Sequence, residues 1–302
     1  MRRAIPGALA AMAVFAAWTV LPVPIGAAAR QAPPVALASW STGVLVLQSD
    51  GQVFEFDVAR RQVARQVYST PWSYQAFDLA SVRRPDDSVA CLSLYNRTVN
   101  TANSWVVQIT GAEPIWSWLP ERGLYGGMAW DPAQQQLYVA NSSTNSIYAL
   151  AVGRKDRARF VAGVRGAGKI VMLAYDAGGK GILAIDQTSP SVWRVDPATK
   201  QVQRLVALPK AGELRAAAWS DGNRRLYLAD SQKECIWEVD FKASPPRVRA
   251  IGDQRLRDPA GLALFQESLW VADESEHSLF EFTVDGALKQ QIPWPPDTSR
   301  AR

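Results

Sequence analysis

The chain has 302 residues, 48% of them hydrophobic, and a net charge of +5. That length supports one sizeable buried core, and the composition is too apolar for a disordered chain. Its basic residues are scattered apart from short clusters such as Arg60-Arg61 and Arg154–Arg159, which excludes a nucleic-acid track, and two cysteines with one histidine exclude a disulfide framework and a multi-histidine zinc site.

The N-terminus reads as a secretory leader over 1–29. Arg2 and Arg3 form a charged start, and Ala8–Leu21 is an uncharged, mostly apolar run, short for a membrane span. Ala27-Ala28-Ala29 offers a small-residue cleavage site. An uncleaved anchor is the alternative, although Pro22 and Pro24 interrupt the run. The expected location is therefore periplasmic or secreted, with no stable membrane span once the leader is removed.

Beyond the leader, one aromatic recurs at Phe54, Trp105, Tyr148, Trp193, Trp237 and Phe280, a period of 43–51 residues. Such a period marks a repeat architecture. The first repeat reads as four strands near 35–40, 43–48, 52–58 and 62–68, and the second, looser one as strands near 74–82, 88–95, 104–109 and 115–119. The last four repeats align without gaps. They run QLYVANSSTNSIYAL from Gln136, ILAIDQTSPSVWRV from Ile182, RLYLADSQKECIWEV from Arg225 and SLWVADESEHSLFEF from Ser268.

In each of these an Asn or Asp (Asn141, Asp186, Asp230, Asp273) lies seven residues before the aromatic. Alternating apolar runs flank a polar hairpin, the pattern of two antiparallel strands. A small-residue run precedes each pair and a weaker run follows it. Six repeats of four strands predict an all-β, six-bladed β-propeller over 35–292, with the aromatics wedged between blades. Residues 297–302 read as a flexible tail.

The Val/Leu-Ala-Asp…aromatic unit resembles NHL-repeat propellers and their gluconolactonase-like relatives. The Asn-His-Leu signature survives in altered form as Glu276-His277-Ser278-Leu279. The resemblance implies a rigid ring that presents a binding or scaffolding face. The gluconolactonase-like metal site is not matched. Where that family places a Glu near the start of blade 1, this chain reads Val35–Trp40, and where it opens an inner strand with Asn, this chain has Ala260-Gly261-Leu262. No metal, cofactor or catalytic set is expected. The alternative function is a channel-centred hydrolase or lactonase with a degenerate metal site, recruiting Asp78, Asp131, Asp176 or Glu213.

The candidate ligand-binding residues are Trp72, Tyr74, Tyr125, Lys169, Arg215 and Asp258, chosen because they precede or open inner strands. The partner is an unspecified protein or small molecule, and the chain is expected to be a monomer or a subunit of an envelope complex. Several motifs read as structural. Gly163–Lys169 fits GxxxxGK but is followed by Ile170 and joins strands, so it reads as an inter-blade turn. The repeated Asn/Asp reads as a hairpin anchor. His277 reads as part of the repeat. Trp116 and Trp118 flank Ser117 and read as blade packing, with an exposed aromatic platform as the alternative. Cys91 and Cys235 fall in opposite blades and are expected to stay unpaired.

Overall fold

The computed structural model describes residues 32–84, 88–96, 104–109 and 113–295, with Asn96 as backbone only. The leader, Asp86-Asp87, the centre of the blade-2 hairpin with its Asn96-Arg97-Thr98 sequon, and the tail lie outside the described residues.

Twenty-four strands form six four-stranded antiparallel sheets. The blades occupy 34–69, 74–118, 125–163, 170–207, 214–251 and 259–293, each built from consecutive strands. The chain is a six-bladed β-propeller, as the repeat predicts. No helix among the described residues is long and apolar enough to cross a membrane.

The inner strands are Pro34–Ser39, Tyr74–Arg83, Tyr125–Asp131, Ile170–Asp176, Leu214–Ser220 and Pro259–Phe265. They pack side by side around the axis, the first against the last as well. Small residues make this possible. A Cβ on Gly127 would stand 2.6 Å from the Met172 Cα, and one on Gly261 would stand 2.8 Å from the Ala36 Cα. Gly127 also has φ +53°, where other residues are strained.

Six apolar clusters hold the blades together, one at each blade boundary. Phe54, Tyr148, Trp193, Trp237 and Phe280 each pack in the cluster shared with the preceding blade, as the wedge reading requires. Trp105 is half-buried and meets Trp116 edge-on within its own blade.

Among the described residues each blade is built from consecutive strands, and side chains pack across the seam that closes the ring. Phe54, Phe56, Trp270 and Trp294 interlock between blades 1 and 6, with ring centroids 5.9–6.2 Å apart. Cys91 is buried in blade 2, Cys235 is half-buried in blade 5, and both thiols are free. Burial pushes their pKa values up, to about 12 and about 11.

Candidate functional site

The inner strands enclose a central cavity of about 550 Å³, lined by the first half of each of them. The local cause is a β-bulge near the start of every inner strand. The extra residues are Val35, Phe77, Gly127, Val171, Arg215 and Ala260, and all six line the cavity. A bulge re-aims side chains, and here it presents one residue per blade to the channel. Only Arg215 among the six is charged.

The repeated acid fixes the rim of this cavity. Asp186 accepts from the backbone N–H groups of Gly168 (2.7 Å) and Lys169 (2.9 Å). Asp230 accepts from Gly212 (2.6 Å) and Glu213 (3.1 Å), and Asp273 from Arg257 (2.8 Å) and Asp258 (3.1 Å). Each also accepts from an amide of its own hairpin. These carboxylates are fully buried and tie the second strand's hairpin to the segment entering the inner strand. Asn141 accepts from Ser143 N–H (3.0 Å) and is equally buried.

The same position exists in the first two blades. Gln48 pairs with Pro34 and Asn96 with Tyr74, just as Asp186 pairs with Ile170. Spacing from the aromatic hid them, because the blade-1 hairpin is shorter and the blade-2 hairpin longer than the four residues of the others.

On this rim, Arg215 reaches across the boundary of blades 5 and 6. Its guanidinium meets the Asp258 carboxylate at 2.9 Å and the Glu274 carboxylate at 2.9 Å. Both acids raise the Arg215 pKa against the opposing effect of burial. Lys169 and Glu213 also line the cavity, and neither forms an ion pair among the described residues. Blades 1–3 supply a more apolar wall with Val35, Ala76, Phe77 and Leu124; Phe77 is 40% exposed and Leu124 39%.

Lys169 and Arg215 both line the cavity, and Asp258 joins them through its ion pair with Arg215. The aromatic candidates differ. Tyr125 is 1% exposed and packs on Tyr148 at 5.7 Å in the core of blades 2 and 3. Its hydroxyl accepts weakly from Glu121 N–H (3.4 Å), and burial raises its pKa. Tyr74 packs on Trp116 at 5.2 Å with the rings tilted by 56°, and of the three only Trp72, 86% exposed, stands open on the surface.

Of the acids considered for a hydrolase, two serve turns. Asp131 is buried and accepts from Ala133 and Gln134 N–H groups; Asp176 accepts from Gly179 N–H and faces Arg224 at 3.4 Å. Glu213 stands on the rim. Asp78, in blade 2, lines the cavity and its Oδ2 accepts from Met128 N–H at 2.8 Å. Burial raises its pKa to about 6 despite the backbone bonds from Leu79 and Met128. Among the described residues, no three His, Cys, Asp or Glu side chains converge as a metal-binding group.

The remaining motifs are structural. Two amides of the GxxxxGK turn, those of Gly168 and Lys169, are taken by Asp186, which already places a carboxylate where a phosphate would sit. His277 is exposed at the left-handed corner of the blade-6 hairpin, φ 47°, where blades 3 and 5 carry Asn145 and Glu234. The tryptophan pair is split. Trp116 packs inward, whereas Trp118 is 44% exposed beneath Arg157, 5.2 Å from its ring centroid.

No protein-family model matches the chain, and no curated protein matches it in sequence. Solved structures do resemble it. A chain of the nidogen/laminin complex aligns with a TM-score of 0.65 at 12% identity, covering 82% of this chain and 92% of that one. The hydrazine synthase of Kuenenia stuttgartiensis aligns at 0.63 and 16% identity, covering 90% of each chain. An auxiliary nutrient binding protein from Bacteroides thetaiotaomicron aligns at 0.59 and 12% identity, covering 80% and 67%. At these identities the likeness establishes the propeller fold alone.

Proposed function

We propose that this chain is an exported propeller that acts as a binding module, using the channel face where the inner strands begin. The observation that carries this reading is the rim itself. Six bulges and a set of buried hairpin anchors hold Lys169, Glu213, Arg215, Asp258 and Glu274 on a rigid frame around an open cavity. Function on such scaffolds concentrates in loops set on rigid strands. Trp72, at the same end of the ring, belongs to this face, while Tyr74 and Tyr125 support it from beneath. The NHL-like resemblance and the fold shared with a nutrient-binding protein are compatible with that role. The leader over 1–29 and the periplasmic or secreted location belong to the same proposal.

A photo-crosslinking side chain placed at Gln187 on the rim, and separately at Ser41 beside the opposite opening, tests the reading in the native host. Adducts from the rim position alone support it. Adducts from Ser41 alone, or from neither position, defeat it.

A further inference from the structure

The charge of the channel differs from that of the chain. The chain is basic overall, yet the charged side chains lining the cavity are Asp78, Glu213 and Glu274 against Lys169 and Arg215. Arg215 is already neutralised, because it spans Asp258 and Glu274 at 2.9 Å each. Asp78 is different. It lies across the ring from Arg215, in blade 2, and its only partners among the described residues are backbone N–H groups. The carboxylate lines the cavity together with both donor residues, Leu79 and Met128.

The bulge at Phe77 completes the arrangement. It sets Phe77 and Asp78 side by side on the channel wall, and Tyr95 supports the Phe77 ring edge-on at 6.1 Å. Leu124 and Met128 continue the apolar surface. A carboxylate beside an exposed aromatic on an apolar wall is the chemistry that recognises an organic ammonium. The carboxylate accepts charge-assisted hydrogen bonds, the ring attracts the cation, and the apolar wall covers the carbon skeleton. A metal ion would need several ligands converging on one point, which the described residues do not supply. The cavity of about 550 Å³ suits a small organic molecule.

We infer that the channel is a binding site for a small organic amine, with Asp78 taking its ammonium group and Phe77 and Leu124 covering its apolar part. This rests on the channel face being the binding face. An unpaired, largely buried carboxylate costs stability, and burial has already raised its pKa. Stability given up at one side chain is commonly a sign of use.

The test is a calorimetric titration with 2-phenylethylammonium, 2-phenylethanol and 3-phenylpropionate on the wild-type chain and on Asp78→Asn. The amine is expected to bind, the carboxylate is not, and Asp78→Asn is expected to weaken the amine at least about tenfold while leaving the alcohol unchanged. Equal amine binding by Asp78→Asn, or preference for the carboxylate, would overturn the assignment. Should Asp78→Asn fail to fold, the Asp78 carboxyl carbon is followed by NMR in the wild type. Saturating amine is expected to move its titration below the free value of about 6, and no movement defeats the proposal. Rim crosslinks that persist when the amine fails leave the channel-face reading standing, whereas loss of both removes both.

Discussion

Asp78 shows how one residue couples stability to a site. Its carboxyl pKa is raised, so between about 4 and about 6 the folded chain holds a proton that the unfolded chain has released. The contribution of Asp78 to stability therefore rises as pH falls through that window, and above about 6 the fold carries an ionised carboxylate in a poorly solvated place. Asp78→Asn removes this cost. The variant is expected to be more stable than wild type by on the order of 1–3 kcal/mol at pH 7.5, with the difference gone near pH 4. Chemical denaturation at the two pH values checks this, and an equal difference at both would contradict it. Nothing local in the sequence marks Asp78 among the other acids. Its isolation depends on which side chains the other five blades turn toward the channel.

At the scale of the element, the repeated acid explains why the blades share one geometry. Asp230 accepts from Gly212, Glu213 and Lys233 amides and from the Trp237 indole N–H at 2.8 Å. Replacing it with Ala would leave these donors without their acceptor in the interior, at about 1–3 kcal/mol for each one that finds no water. Asp230→Ala is expected to lose about 3 kcal/mol and to loosen the segment that presents Glu213 and Arg215. A thermal melt and the amide exchange of 211–215 measure the two effects. Unchanged exchange there would mean that the rim is held by something else. Four of these anchors were legible in the sequence because their hairpins have equal length. The corresponding register positions in blades 1 and 2, Gln48 and Asn96, were not legible, since hairpin length shifts their spacing from the aromatic while strand register does not change.

For the whole molecule, closure is the distinctive property. Each blade is contiguous in sequence, and among the described residues it is packing that joins blade 6 to blade 1. Trp294 carries much of that seam, 4% exposed and against both Phe54 and Phe56. Trp294→Ala is expected to lose about 3 kcal/mol, whereas Trp72→Ala, at a site 86% exposed, is expected to change stability by less than about 0.5 kcal/mol. Equilibrium unfolding of the two variants compares them directly, and equal stability would show that the ring closes without this seam.

The sequence by itself determined the architecture: six repeats, four strands in each, the blade boundaries, and the aromatic wedges. Those features follow from period-2 alternation and a fixed repeat length, which are local along the chain. Only the tertiary structure decided the site. Arg215 meets Asp258 and Glu274 from 43 and 59 positions away, and Asp78 meets the Met128 amide from 50 positions away. Tyr125 borders the channel, but its ring is buried on Tyr148 and leaves almost no surface there. Each outcome turns on where a bulge falls in an inner strand and which neighbour lies across the blade boundary. A bulge sets two residues of one strand against one of its partner, so which residue is extra is decided by the pairing between strands and not by either strand alone.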